Sequence, residues 1–164
     1  MEKDLKTLNT QYAFLSPESR LKQLYKDFPN KRILVTSSFG ATSIYLLHLI
    51  RKVNPSQPVY FINTGFLFEE TLQYQEQISK EMGIQILQAK PDPHHHAYTK
   101  TNELWKNNPD LCCSVNKVIP FDSIKGEHDI WISGLIRHQN QYRTSLNIFE
   151  EQDALLKFHP LIDI

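Results

Sequence analysis

The sequence predicts an α/β fold: a mostly parallel sheet flanked by helices. Short apolar runs suited to buried strands, at residues 32–35, 59–62 and 84–87, alternate with segments whose apolar residues recur at helical spacing. The first two runs are each followed by a turn: residues 36–42, rich in Ser, Thr and Gly, and residues 63–70, which open Asn-Thr-Gly and end in two acids. Such turns lead from strands into helices at the carboxyl edge of a parallel sheet.

Each element has a local reason. Ser16, Pro17 and Glu18 form a helix start, with a hydroxyl cap, proline at the first helical position and acid in the first turn. Leu21, Leu24, Tyr25 and Phe28 then share a face, and Pro29-Asn30 ends the helix. After the first turn, Ile44, Leu46, Leu47, Ile50 and Val53 form an apolar helical face that Pro55 and Pro58 terminate. The helix expected over residues 69–82 opens with two acids and stops at Gly83. Residues 90–110, with Pro91, Pro93 and Pro109, read as a loop containing one short helix around Leu104 and Trp105. Residues 129–134 and 155–161 supply further strands.

With 164 residues the chain fits one domain, spanning 1–164. Its 18 basic and 18 acidic side chains cancel, which argues against nucleic acid as a partner. A small anion needs only a few well-placed cations. No apolar run approaches the ~18–20 residues needed to cross a bilayer, and the first residues, Met-Glu-Lys-Asp-Leu-Lys, carry no apolar signal region. A cytoplasmic location without a membrane partner is the expectation. The cysteines are Cys112 and Cys113; adjacent thiols in a reducing compartment read as metal or redox ligands rather than a staple.

The two turns suit an anionic nucleotide. Helix N-termini offer backbone N–H groups and a positive dipole end. Ser37, Ser38 and Thr42 add hydroxyls, and Gly40 and Gly65 would admit a close approach of ligand to backbone. The same residues are also ordinary turn and cap formers. Neither turn has the Gly-Lys-Ser/Thr of a Walker A loop or a dinucleotide glycine fingerprint.

The motifs Ser37-Ser-Phe39-Gly40 and Asn63-Thr64-Gly65-Phe-Leu-Phe-Glu-Glu-Thr71 resemble those of the phosphoadenylyl-sulfate and adenylyl-sulfate reductases, the sulfonucleotide reductase family. The resemblance runs from about Ser37 to Asp163. It implies an adenine nucleotide α-hydrolase-like fold with a modified pyrophosphate-binding loop, and an adenylyl group held across the two turns. The run Cys112-Cys113-Ser-Val-Asn-Lys117-Val-Ile-Pro120 is similar to the Cys-Cys-x-x-Arg-Lys-Val-Glu-Pro of the adenylyl-sulfate branch. Asn116 and Ile119 depart from that pattern. The pair implies two ligands of a [4Fe-4S] cluster, whose remaining thiolates relatives carry further on; ordinary buried cysteine is the alternative. Lys117 is implied as a sulfate contact, a compact cation suited to an oxyanion.

The segment from Gly134 to Arg143 resembles the family's Gly-Leu-Arg-Arg-x-Gln-Ser-x-x-Arg, matching at Arg137, Gln139 and Arg143, with Ile136 in place of the first arginine. Guanidinium groups suit sulfate and phosphate. His94, His95 and His96 point in different directions and read as a polar loop, and His48 as a packed or surface residue. Pro160-Leu-Ile-Asp163 corresponds to a motif that in relatives precedes a tail with the nucleophilic cysteine.

The implied reaction is thiol-dependent reduction of adenylyl sulfate, or 3′-phosphoadenylyl sulfate, to sulfite in sulfate assimilation and cysteine biosynthesis. A thioredoxin- or glutaredoxin-type donor would complete it, and a homo-oligomer is compatible with it. Lacking the tail, these residues are expected to bind a nucleotide better than they reduce one. The alternatives are a non-catalytic nucleotide-binding module of the same fold and a PP-loop ATP pyrophosphatase. The latter usually has Ser-Gly-Gly-x-Asp-Ser where this chain has Ser-Phe-Gly-Ala-Thr-Ser.

Overall fold

A computed structural model of the chain describes residues 4–137, 145–152 and 155–164. The elements run α1 (Leu5–Ala13), α2 (Pro17–Asp27), β1 (Ile33–Val35), α3 (Ala41–Val53), β2 (Val59–Ile62), α4 (Glu69–Met82) and β3 (Ile86–Ala89). Then come α5 (Pro93–Thr101), α6 (Leu104–Asn107), α7 (Pro109–Cys113), a π-helical turn (Ser114–Val118), α8 (Ile119–Lys125), β4 (Ile130–Ile132), β5 (Phe149–Gln152) and β6 (Leu155–Phe158).

Strands β1, β4 and β6 are parallel neighbours, and β5 closes that edge antiparallel to β6. Strands β2 and β3 form a parallel pair. A parallel bridge from Thr36 to Tyr60 joins this pair to β1, so the strands run β3-β2-β1-β4-β6-β5. The order reverses between β1 and β4. In sheets of this kind such a reversal opens a crevice at the carboxyl ends of the strands.

The expected architecture is present. Helix α4 keeps the expected bounds because Gly83 adopts the left-handed conformation at its end (φ 61°), which an L side chain resists. Residues 90–110 differ from the expected loop: three helices occupy most of them. Pro93 and Pro109 sit in the first turns of α5 and α7, where a missing N–H costs nothing. The Asp92 and Asn108 side chains cap these helices from just before them. The third strand lies two residues later than expected, and α1 and β5 were not anticipated.

The core gathers Leu21 and Leu24 of α2, Leu46, Leu47 and Ile50 of α3, and Val35, Phe61, Ile132 and Phe158 of the sheet. Tyr12 of α1 meets the rings of Phe149 and Phe158 edge-on, with centroids 4.8 and 5.9 Å away. Sheet side chains alternate in direction along each strand. Tyr60 and Trp131 therefore turn away from this core and meet His128 and Phe121.

Arg20, only 1% exposed, locks the N-terminal helices to the end of the chain. Its guanidinium donates to Tyr12 O (3.1 Å), Ala13 O (3.1 Å) and Pro160 O (3.0 Å). It also forms a fork with both Asp163 carboxylate oxygens, at 2.5 and 2.6 Å. All five N–H donors of arginine are thereby satisfied, and the guanidinium holds the Asp163 carboxyl below the usual carboxylate range. The Pro-Leu-Ile-Asp run is thus an anchoring segment. Arg20→Met is expected to cost about 3–5 kcal/mol, because it orphans three carbonyls and a carboxylate. Urea denaturation of the variant beside the wild type measures it.

His159 is buried, and neither ring nitrogen has a hydrogen-bond partner among the described residues. The Glu150 carboxylate lies 3.9 Å from Nε2, beyond hydrogen-bonding distance. Burial therefore dominates, with the Lys157 charge adding to it, and pushes the imidazole down to about 4. The folded protein keeps His159 neutral where the unfolded chain, with a pKa near ~6.5, takes up a proton. Stability is then lost as pH falls from about 6.5 towards 4, by roughly 2 kcal/mol at pH 5. His159→Leu should flatten that portion of the pH–stability curve, measured by urea midpoints between pH 7 and pH 5.

Candidate functional site

A cleft of about 410 Å³ opens at the carboxyl ends of β1 and β2. Ser37 and Ser38 line it from the first turn, Thr64 from the second, and Lys117 and Val118 from the π-helical turn. Phe121 and Trp131 give it an aromatic wall, their ring centroids 4.9 Å apart. The cleft thus combines apolar faces, a few hydroxyls and one ammonium group, a composition suited to a small ligand with one flat apolar part and one anionic part.

The first turn is held by hydrogen bonds on both sides of Ser37. Ser37 N–H bonds Tyr60 O (3.0 Å), and the Ser37 hydroxyl accepts the Phe39 N–H (3.1 Å). Phe39 is forced into the left-handed region (φ 56°), which is costly for a bulky residue. Its ring is compensated by burial and an edge-on contact with Phe61, centroids 5.4 Å apart. The Phe39 side chain therefore belongs to the core. Gly40 caps α3 at φ −68°, and the nearest atom to an added Cβ would be Ser38 Oγ at 3.8 Å. The unusual backbone angle sits at Phe39 rather than Gly40. Thr42 lies in the first turn of α3.

In the second turn the Asn63 side chain accepts the Gly65 N–H (3.1 Å) and donates to Gln88 Oε1 (3.2 Å). The Thr64 hydroxyl accepts the Phe66 N–H (3.2 Å). Gly65 has φ 76°, and an added Cβ would come within 2.5 Å of the His96 ring. Glycine is required here by conformation and by the packing of His96 together. His96 belongs to α5, not to a polar loop.

Lys117 owes its place to the π-helical turn. Pro120 has no N–H to give to Asn116 O, as an α-helix would need, and Ile119 N–H instead reaches back five residues to Ser114 O. Single π turns of this kind recur at functional sites. The widened turn buries Asn116 while leaving Lys117 exposed on the cleft wall.

Arg137 is not among the cleft-lining residues. Its N–H bonds Ile162 O (2.9 Å) and its Nη2 bonds Leu146 O (3.0 Å). Its buried Nε has no partner among the described residues. Gln139 and Arg143 lie outside the described residues. Cys112 is buried and Cys113 exposed at the end of α7. Among the described residues no three His, Cys, Asp or Glu side chains converge as metal ligands, and the chain has two cysteines. A four-thiolate cluster does not fit this ligand set by itself. No described helix is long and apolar enough to cross a membrane.

The contrast between the two thiols is directly measurable. Cys113 should be alkylated by iodoacetamide in the native state, and Cys112 at least about 10-fold more slowly, because the reagent reaches the exposed sulfur and not the buried one. Peptide mass spectrometry at timed intervals gives both rates.

A family model described as the phosphoadenosine phosphosulfate reductase domain matches residues 32–164. Similar curated proteins include the adenosine 5′-phosphosulfate reductase of Halalkalibacterium halodurans, 35% identical over 147 residues, with 87% of this chain and 63% of that protein covered. The protein of the same name from a Chelativorans species is 32% identical over 157 residues, covering 94% of this chain and 64% of that protein. The chain thus spans less than two thirds of the length of these relatives. Among solved structures, the phosphoadenylyl-sulfate reductase of Candida auris in a phosphate complex superposes with a TM-score of 0.81 at 22% identity, covering 100% of this chain and 82% of that one. The NH3-dependent NAD synthetase of Campylobacter jejuni gives 0.60 at 10% identity, covering 99% and 69%. These likenesses establish the adenine nucleotide α-hydrolase-like fold.

Proposed function

The chain belongs to the phosphoadenosine phosphosulfate reductase domain family, and from that premise we propose that its cleft binds adenylyl sulfate for reduction to sulfite and AMP. One observation carries the reading. Hydroxyls of both strand-end turns, Ser37, Ser38 and Thr64, share one cleft with Lys117 and the Phe121–Trp131 wall. Aromatic faces suit an adenine ring, and hydroxyls and an ammonium group suit the anionic portion. Gly40 and Thr42 would add the N-terminus of α3 to that anion site. Asn63 and Gly65 would shape the second turn, Arg137 would brace the segment after β4 through its bonds to Ile162 and Leu146, and Gln139 and Arg143 of the same stretch of sequence would add polar and cationic contacts to the anion. The single domain 1–164 would be this nucleotide-binding part.

The reaction needs a thiolate that attacks the sulfur of adenylyl sulfate. The S–O bond to the phosphate breaks, AMP leaves, and an S-sulfonated cysteine forms. A dithiol donor of the thioredoxin or glutaredoxin type would then displace sulfite and become a disulfide. These residues bind and orient the sulfonucleotide. Lys117 would hold negative charge on the sulfate or departing phosphate, and the cleft would limit water access to the sulfur. A cluster held partly by Cys112 and Cys113 would require thiolates from outside these 164 residues. The adjacent pair favours adenylyl sulfate over its 3′-phosphorylated form. The setting would be cytoplasmic sulfate assimilation.

Calorimetric titration with adenylyl sulfate tests the reading. The wild-type chain is expected to bind it, and Lys117→Ala to bind about 10–100-fold more weakly, as loss of a charge-assisted contact implies. Adenosine, which lacks the anion, should discriminate little between the two proteins. Equal affinity of both proteins for adenylyl sulfate would contradict the assignment of Lys117, and no binding would contradict the reading itself.

A further inference from the structure

Neither His96 nor Asn116 lines the cleft, yet their contact links the neighbour of Thr64, Gly65, to the neighbour of Lys117. Asn116 is 2% exposed. Its Nδ2 donates to Cys112 O (2.8 Å) and Thr99 Oγ1 (3.1 Å), and lies 3.6 Å from Cys112 Sγ. A backbone carbonyl can only accept, so this end of the amide is the NH2 group and Oδ1 faces His96 Nδ1 at 2.7 Å. His96 Nδ1 must then carry the proton. In the neutral ring Nε2 is left as the bare nitrogen, beside Gly65, whose added Cβ would come within 2.6 Å of it. The Phe66 ring closes over the imidazole edge-on, centroids 5.1 Å apart.

The chain of contacts is continuous. The imidazole seats the second turn, whose Thr64 lines the cleft, and Asn116 ties that imidazole to the helix carrying the cysteines. The residue after Asn116 is Lys117, which lines the same cleft as Thr64. We propose that His96 and Asn116 are positioning residues that fix Thr64 and Lys117 relative to one another. Their role in substrate binding rests on the nucleotide reading of the cleft. Small displacements of binding groups can cost up to about 100-fold in rate or affinity, and members of one buried network act non-additively.

The test uses the whole chain with His96→Ala, His96→Asn, Asn116→Leu and the double variant His96→Ala/Asn116→Leu. His96→Asn keeps a donor near the Nδ1 position but lacks the ring. Affinity for adenylyl sulfate is expected to fall about 10-fold in each alanine or leucine variant, with part of it recovered in His96→Asn. The double variant should be no weaker than Asn116→Leu alone. Amide exchange at Gly65 and Phe66, which bond within their own turn, should quicken at least about 10-fold in Asn116→Leu and in the milder His96→Ala. Multiplying losses in the double variant, or unchanged exchange at Gly65 in both single variants, would overturn the proposal. If the wild type binds no adenylyl sulfate while exchange at Gly65 still responds to Asn116, the nucleotide reading fails and the mechanical link stands.

Discussion

At the carboxyl end of β1 the Ser37 N–H bonds Tyr60 O on β2, while the Thr36 hydroxyl accepts the Trp131 indole N–H of β4 at 2.9 Å. These two bonds reach in opposite directions along the sheet. One, with the Thr36–Tyr60 bridge, attaches the β2–β3 pair to the remaining strands. The other fixes the indole that forms the cleft's aromatic wall. Beyond Thr36 the strand order reverses and the chain must leave the sheet. The crevice therefore forms where Ser37 and Ser38 are, and everything else in the site is carried to that point by β2, β4 and the helices before β4.

The parts of the fold legible in the sequence are those with local causes. Glu69, Glu70 and Gly83 mark the ends of α4 through the helix dipole and a left-handed stop. Ser16 and Pro17 mark the start of α2. The parts missed depend on distant partners. Strand β5, Phe-Glu-Glu-Gln, has one buried apolar residue and exists because β6 pairs with it on one side. On the other side the Asn9 amide bonds Phe149 N–H and C=O at 2.9 and 3.0 Å, in place of a further strand. Prolines 93 and 109 look like breakers until Asp92 and Asn108 are recognised as caps placing them in first turns.

The candidate site divides in the same way. Ser37, Ser38, Thr64 and Lys117 are legible because their motifs are contiguous, and the fold brings them to one cleft. His96 and Asn116 were not, since a histidine inside a polar run and an asparagine in place of arginine carry no pattern of their own. Their signal would have been the glycine at 65, which lies 31 residues before the histidine whose ring requires it. Phe39 and Gly40 exchange the roles that composition suggests, because burial against Phe61 compensates a left-handed phenylalanine.

In the proposed binding mode a neutral chain would hold an anion by placement rather than by total charge: among the described residues the cleft gathers the Lys117 ammonium group and several hydroxyls beside the turn that leads into α3. The most direct measurement is a crystal structure of the chain with adenylyl sulfate. Density is expected with adenine beside Trp131 and Phe121 and the sulfate and phosphate between the Ser37–Ser38 turn and Lys117. Density for the nucleotide anywhere else on the molecule, with this cleft empty, would contradict this binding mode.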